Sequence, residues 1–234
     1  MTEIQPPITY RKSRAAAVFY SVPTEIARQL LDGTGLVAVT LAGRSIINAT
    51  WFDYGESSIG AYREFSLGVV ASRETLHVSA LASLLLGRAA SFGSYILALP
   101  VDSEVARAGG VAWYGLPKTK VEFGLAWGSS KLNATISDQG QPILSMQVPI
   151  GLGIPCWIRE LVIYSQLEGK TLRTPIATNW LAQIDLVCRP RLTVAQPEHS
   201  LGRFMTRLGL QSARPLAVVH GRLRYAQLPP PVHS

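Results

Sequence analysis

Cysteine, histidine and lysine are all scarce in this 234-residue chain. The two cysteines, Cys156 and Cys188, stand far apart, with no CxxC and no Cys/His spacing that suits a metal. Such usage implies free buried thiols in a reducing, cytoplasmic setting. The four histidines form no close pair with ligand spacing. No segment reaches ~18 consecutive apolar residues, so no membrane span is expected. The opening Met1-Thr2-Glu3-Ile4-Gln5-Pro6-Pro7 carries no apolar core of a secretory signal. A phosphate-cradling Gly-rich loop is also missing, so neither a nucleotide cofactor nor a metal is expected. There is no repeat of fixed period and no Pro/Gly/Ser linker long enough to divide the chain. One domain over residues 1–234 is the expectation.

Charge is sparse but one-sided. Charged residues make up 16% of the chain, hydrophobic residues 47%, and the formal net charge is +7. That composition suits a large core. The basic residues are scattered, apart from Arg11-Lys12-Ser13-Arg14 and Arg189-Pro190-Arg191, and no common nucleic-acid motif is present. A positive excess of this kind suits a protein that draws in carboxylate small molecules, so a nucleic-acid partner is not expected.

What is present is a series of short apolar runs separated by turns. Strands are expected over 15–22, 37–41, 45–47, 59–70, 95–101, 121–127, 132–137, 143–148, 161–166, 172–177, 183–188 and 216–225. In the 59–70 run, Tyr62, Glu64, Ser66 and Gly68 share one face by the period of two. Asp138-Gln139-Gly140-Gln141 reads as a hairpin turn. A helix is expected to open at Pro23-Thr24, with Thr24 as N-cap, and to end at Gly33 and Gly35. A second helix is expected over 199–208, with Gly209 capping it and Leu201, Phe204, Met205 and Leu208 on one side. Residues 48–58 read as a loop. Glu74 to Ala90 fits either an apolar helix or a covering loop. The tail from Leu228 reads as loose. The pattern predicts an α+β chain, mostly antiparallel β, in a closed or cone-like barrel or sheet with a few peripheral helices.

Only five of the 22 basic residues are lysines, and two of them fall in Val111-Ala112-Trp113-Tyr114-Gly115-Leu116-Pro117-Lys118-Thr119-Lys120. Most Leu-Pro-Lys lysines are solvated turn residues. A lysine against a low-dielectric wall, however, is pushed toward its neutral form, and a neutral amine attacks carbonyls to give a Schiff base. The run Tyr95 to Val101 leads in as a strand, and Asp102 to Arg107 as a short helix ended by Gly109-Gly110.

This order resembles the acetoacetate decarboxylase family, in which an apolar strand, an Asp-headed helix and a Gly-aromatic-Pro-Lys-Lys segment present the Schiff-base lysine. Tyr62-Arg63-Glu64 resembles the family's Tyr-x-Glu, whose carboxylate lies in the pocket. The resemblance implies catalytic roles for Lys118 and Glu64. It also implies substrate contacts from Arg14, Tyr62, Trp113, Tyr114 and Leu116, a carbonyl or keto acid substrate, no cofactor and a homo-oligomer. Several positions depart from the pattern. Thr119 replaces the second lysine, with Lys120 the nearest substitute on the same face of a strand. Leu116 replaces an aromatic, and Gly110-Val111-Ala112 replaces a Gly-Arg-Glu. A further pocket carboxylate, placed near Ile47 or Asn48, has no counterpart. Lysine kept while other charges are lost points either to decarboxylation or to aldol, dehydration or cyclisation chemistry. A non-catalytic cavity protein for apolar carbonyl ligands is the bland alternative.

Overall fold

The computed structural model describes residues 5–75, 92–187 and 189–230. Most of the ambiguous stretch from Glu74 to Ala90, together with Cys188 and residues 231–234, lies outside the described residues. In chain order the described strands are β1 (Ile8–Pro23), β2 (Val37–Ala38), β3 (Thr40–Leu41), β4 (Arg44–Tyr54), β5 (Glu56–Ser57), β6 (Tyr62–Ser72) and β7 (Gly93–Val101). They continue with β8 (Lys118–Lys120), β9 (Glu122–Trp127), β10 (Lys131–Asp138), β11 (Gln141–Pro149), β12 (Ile154–Leu167), β13 (Lys170–Asp185), β14 (Arg191–Val194) and β15 (Pro215–Leu228). The described helices are α1 (Thr24–Leu31), α2 (Glu104–Tyr114) and α3 (Ser200–Arg207).

Seven strands close on themselves in the order β6-β4-β1-β15-β13-β12-β7, and β7 pairs back to β6. All these neighbours are antiparallel except β7 and β12. Strand β8 adds a parallel edge to β7, with Leu99 opposite Lys118. Closure removes the exposed edges that an open sheet of this length would present. A second sheet, β14-β11-β10-β9, packs over one side of the barrel.

Two apolar cores follow from the period of two along each strand. On β4, Ile47, Ala49 and Trp51 point outward and pack with Leu132, Ile136 and Met146 of the second sheet. Trp51 Nε1 lies 3.3 Å from Met146 Sδ. The alternate residues Asn48, Thr50, Phe52 and Tyr54 point into the barrel. Residues 48–54 are therefore strand rather than the expected loop. The strand is buried on both faces, so Asn48 and Thr50, which alternate with apolar residues as the solvent-facing set of a half-exposed strand would, face the barrel interior instead.

Three other local expectations are corrected. Helix α2 does not stop at Gly109-Gly110. It starts beyond Ser103, whose Oγ accepts from Ala106 N at 3.2 Å, and runs on to a left-handed Gly115 with φ of 58°. At α1, Pro23 occupies the cap position, and Thr24 Oγ1 donates to Gly43 O at 2.9 Å. The segments 172–177 and 183–188 belong largely to the single long strand β13, which ends at Asp185. The hairpin at Gln139-Gly140 forms as expected, with both residues at positive φ, and α3 buries Leu201 and Met205. No described helix is long and apolar enough to cross a membrane.

Candidate active site

Lys118 is placed by three consecutive local devices. Ser103 starts α2, and the left-handed Gly115 ends it. The chain then turns back through Leu116-Pro117 to run beside β7. A Cβ on Gly115 would fall 2.0 Å from Gln166 O, so this turn needs glycine for space as well as for its dihedral. The stem of Lys118 then crosses α2 at Gly110, where an added Cβ would lie 2.5 Å from both Cδ and Cε of the lysine. The helix-interior glycine that mimics a stop signal in the sequence is in fact the groove in which the lysine lies.

The amine ends inside the barrel. Its Nζ is 2.6 Å from Glu64 Oε2, and the two side chains are 6% and 9% exposed. Tyr54 Oη donates to the other carboxylate oxygen at 3.3 Å. The Tyr62 ring centroid lies 5.6 Å from the ammonium position, close enough for its face to attract a cation. The Tyr10 and Tyr62 hydroxyls are 3.2 Å apart, and the Tyr10 ring lies 4.4 Å from that of Tyr54. Burial, reinforced by the charge of Glu64, pushes all three phenols well above their ordinary range. They therefore act as neutral hydroxyls around the pair.

A cavity of ≈ 150 Å³ fills the barrel in front of this pair. Phe52, Ile96, Leu116, Leu161, Ile163 and Trp180 supply much of its apolar wall. Lys118 and Glu64 are the only charged side chains among the described residues that line it.

The sequence-expected residues separate into three groups. Lys118, Glu64 and Leu116 line the cavity together. Tyr62 and Tyr114 border a much smaller hollow behind Lys118, of ≈ 10 Å³. Tyr114 is fully buried and donates from its hydroxyl to Pro229 O at 2.8 Å, and burial pushes its phenol up to about 12. Trp113 is half-buried against the interior cluster without lining either space. The expectation for Arg14 is corrected. On β1, Ala15, Ala17 and Phe19 face inward, so Arg14 faces outward, with its guanidinium 5.8 Å from the Trp127 ring of the second sheet. Lys120 is also exposed and does not line the cavity, so it does not stand in for a second pocket lysine.

Several cavity residues escaped the sequence reading, namely Tyr54, Phe52, Asn48 and Thr50 on β4, and Tyr10 on β1. The alternation of Ile47, Ala49 and Trp51 with Asn48, Thr50 and Phe52 is the signal that would have found the β4 set. No group of three or more metal-ligating side chains occurs among the described residues.

The model of the acetoacetate decarboxylase (ADC) family matches residues 1–155. The chain belongs to that family. No curated protein matches it. Among solved structures, an acetoacetate decarboxylase from Legionella pneumophila subsp. pneumophila str. Philadelphia 1 superposes with a TM-score of 0.71 at 12% identity, covering 99% of this chain and 91% of that one. The enduracididine biosynthesis enzyme MppR complexed with pyruvate gives 0.64 at 12% identity, covering 97% and 90%. An acetoacetate decarboxylase-like enzyme from Sphingomonas wittichii RW1 gives 0.64 at 10% identity, covering 98% and 94%. At these identities the likeness establishes the acetoacetate decarboxylase fold. The chemistry of this member has to be argued from its own residues.

Proposed function

We propose that the chain is a Schiff-base-forming lyase that acts on a keto acid or related carbonyl compound, with Lys118 as nucleophile and Glu64 as its proton partner. The observation that carries this reading is the 2.6 Å contact between the two buried groups at the wall of an apolar cavity. Attack on a carbonyl carbon requires the free amine. Moving one proton along that hydrogen bond converts an ammonium-carboxylate pair into an amine and a carboxylic acid, with no change in net charge. The amine then adds to the carbonyl. Glu64 returns the proton to the carbinolamine oxygen, and water leaves to give the iminium.

The iminium is an electron sink. If the bound molecule is a β-keto acid, the C–C bond to its carboxylate breaks, CO2 departs, and the electron pair is held as an enamine. Protonation at carbon and hydrolysis of the imine release the ketone and regenerate the lysine. Tyr54, hydrogen-bonded to Glu64, keeps the carboxylate oriented through these transfers.

A second reading forms the enamine without loss of CO2, by transfer of an α-proton from the iminium to the Glu64 carboxylate, then adds it to an aldehyde and expels water. One observation favours it for an uncharged ketone as the donor. Among the described residues no cation other than Lys118 lines the cavity, so a substrate carboxylate would have no further positive partner. Incubation with acetoacetate, and separately with pyruvate or an uncharged methyl ketone plus an aldehyde, decides between the two by CO2 release or by a condensation product. Lys118→Ala must abolish whichever activity is seen. If no turnover occurs and Lys118→Ala binds carbonyl ligands as tightly as the intact protein does, the cavity only binds and the lyase proposal fails.

A further inference from the structure

The cavity has a second polar pole. Along β6 the inward residues after Glu64 are Ser66, Gly68 and Val70, with Thr50 opposite Ser66 and Asn48 opposite Gly68 on β4. Gly68 lies four residue steps beyond Glu64, ~13 Å at ~3.3 Å per residue. At that distance Ser94 Oγ donates to Asn48 Oδ1 at 2.6 Å, and Asn48 Nδ2 donates to Thr50 Oγ1 at 3.3 Å. Asn48, Thr50 and Ser94 all line the cavity. Gly68 makes the arrangement possible, because a Cβ there would fall 2.1 Å from Ser94 Oγ and 3.3 Å from Asn48 Oδ1.

We infer that Asn48, Thr50 and Ser94 form a distal subsite for an uncharged hydrogen-bonding group of the substrate, a hydroxyl above all, whose carbonyl end is held at Lys118. The inference rests on the Schiff-base reading for the carbonyl end only. Its grounds are charge, spare bonding capacity and shape. Every polar group at this pole is neutral, and apart from Lys118 and Glu64 at the other pole no charged side chain among the described residues lines the cavity. Asn48 is 8% exposed and Thr50 5%, and polar groups buried to that degree are normally satisfied. Among the described residues, the bonds to Ser94 and Thr50 use two of the four that an asparagine amide can make. The rest of the wall is mostly apolar, with Phe52 opposite Glu64, Ile96 opposite Gly68, Ile163 beside Ser94, and Trp180, and only the small Ser66 hydroxyl lies between the poles on β6. A slender aliphatic chain with a carbonyl at one end and a hydroxyl at the other matches all three zones. A chain ended by a carboxylate would bring an unpaired charge into the far zone.

The test uses straight-chain methyl ketones of increasing length, each as the plain alkyl compound and with a terminal hydroxyl. Binding is measured by calorimetry on the intact protein, Asn48→Leu, Thr50→Val and Lys118→Ala, each confirmed folded by circular dichroism. At one chain length the hydroxyl compound should bind the intact protein several-fold to about tenfold tighter than its alkyl partner, the effect of one added hydrogen bond. That preference should disappear in Asn48→Leu, shrink in Thr50→Val and persist in Lys118→Ala. Equal binding at every length, or a preference that survives Asn48→Leu, overturns the subsite. The Schiff-base reading fails on a different result, namely that borohydride fixes none of these ketones to Lys118 while the hydroxyl preference stands.

Discussion

A methyl group placed on residue 110 would lie 2.5 Å from the Cδ and Cε of Lys118. The helix therefore gives up intrinsic stability, about 1 kcal/mol for a glycine relative to alanine, to let the lysine pass. Gly110→Ala should leave the unfolding temperature unchanged or raised, since the flexible lysine stem is what must move. The shifted stem keeps its contact with Glu64 but re-aims the amine within the cavity, so the rate of carbonyl addition should fall at least tenfold. Thermal unfolding and carbonyl-adduct kinetics on the same sample check this. Loss of fold in step with loss of reactivity would contradict it.

Removing one partner of the buried pair should cost more than removing both. Lys118→Met leaves Glu64 buried without its cation and should destabilise the protein by about 3–5 kcal/mol. Lys118→Met combined with Glu64→Leu should recover most of that loss. Denaturant unfolding of the three proteins measures it. Glu64→Gln keeps the shape and an acceptor for the amine. It should lower turnover by roughly 10²–10⁴-fold, the usual worth of a positioned proton-transfer group.

The three phenols around Glu64 make a prediction about alkaline pH. Tyr10, Tyr54 and Tyr62 are all raised by burial, so each stays protonated in the folded protein where an unfolded tyrosine ionises near pH ~10. The unfolded chain then binds fewer protons than the native one, and stability falls as pH rises above that value. Tyrosinate absorbance for these residues should appear only together with cooperative unfolding. Tyr54→Phe should soften the alkaline limb. A gradual titration in the folded state would contradict the arrangement.

At the acid end, His220 carries the opposite sign. It is 5% exposed, its Nε2 has no hydrogen-bond partner, and burial lowers its affinity for protons, against smaller opposing effects from Asp185 and a hydrogen bond at Gly151. Its contribution to stability is present above the ordinary value near pH ~6.5 and is lost as pH falls below it. His220→Leu should flatten the stability profile in that window, measured by unfolding at stepped pH. An unchanged slope would place the acid sensitivity elsewhere.

Much of this site was legible in the sequence, because it depends on local spacing. Tyr62 and Glu64 share a strand face by the period of two, and Gly115-Leu116-Pro117-Lys118 forms the turn into β8. The barrel was legible as many short strands separated by turns. The parts that were not legible come from burial on both sides of one sheet. Asn48 and Thr50 look like loop residues until the second sheet is seen to cover the other face of β4. Gly109-Gly110 looks like a helix end until Lys118 is seen to pack on it. Arg14 looked available until the facing of Ala15 and Ala17 was fixed by closure of the barrel.

The central claim is that the Lys118 amine adds covalently to carbonyl carbon. Reductive trapping with borohydride and a small ketone, followed by intact-mass measurement and peptide mapping, tests it most directly. The account predicts one adduct per chain, on Lys118, absent from Lys118→Ala and strongly reduced in Gly110→Ala. An adduct on exposed Lys120 instead, or none at any pH at which the protein is folded, would contradict it.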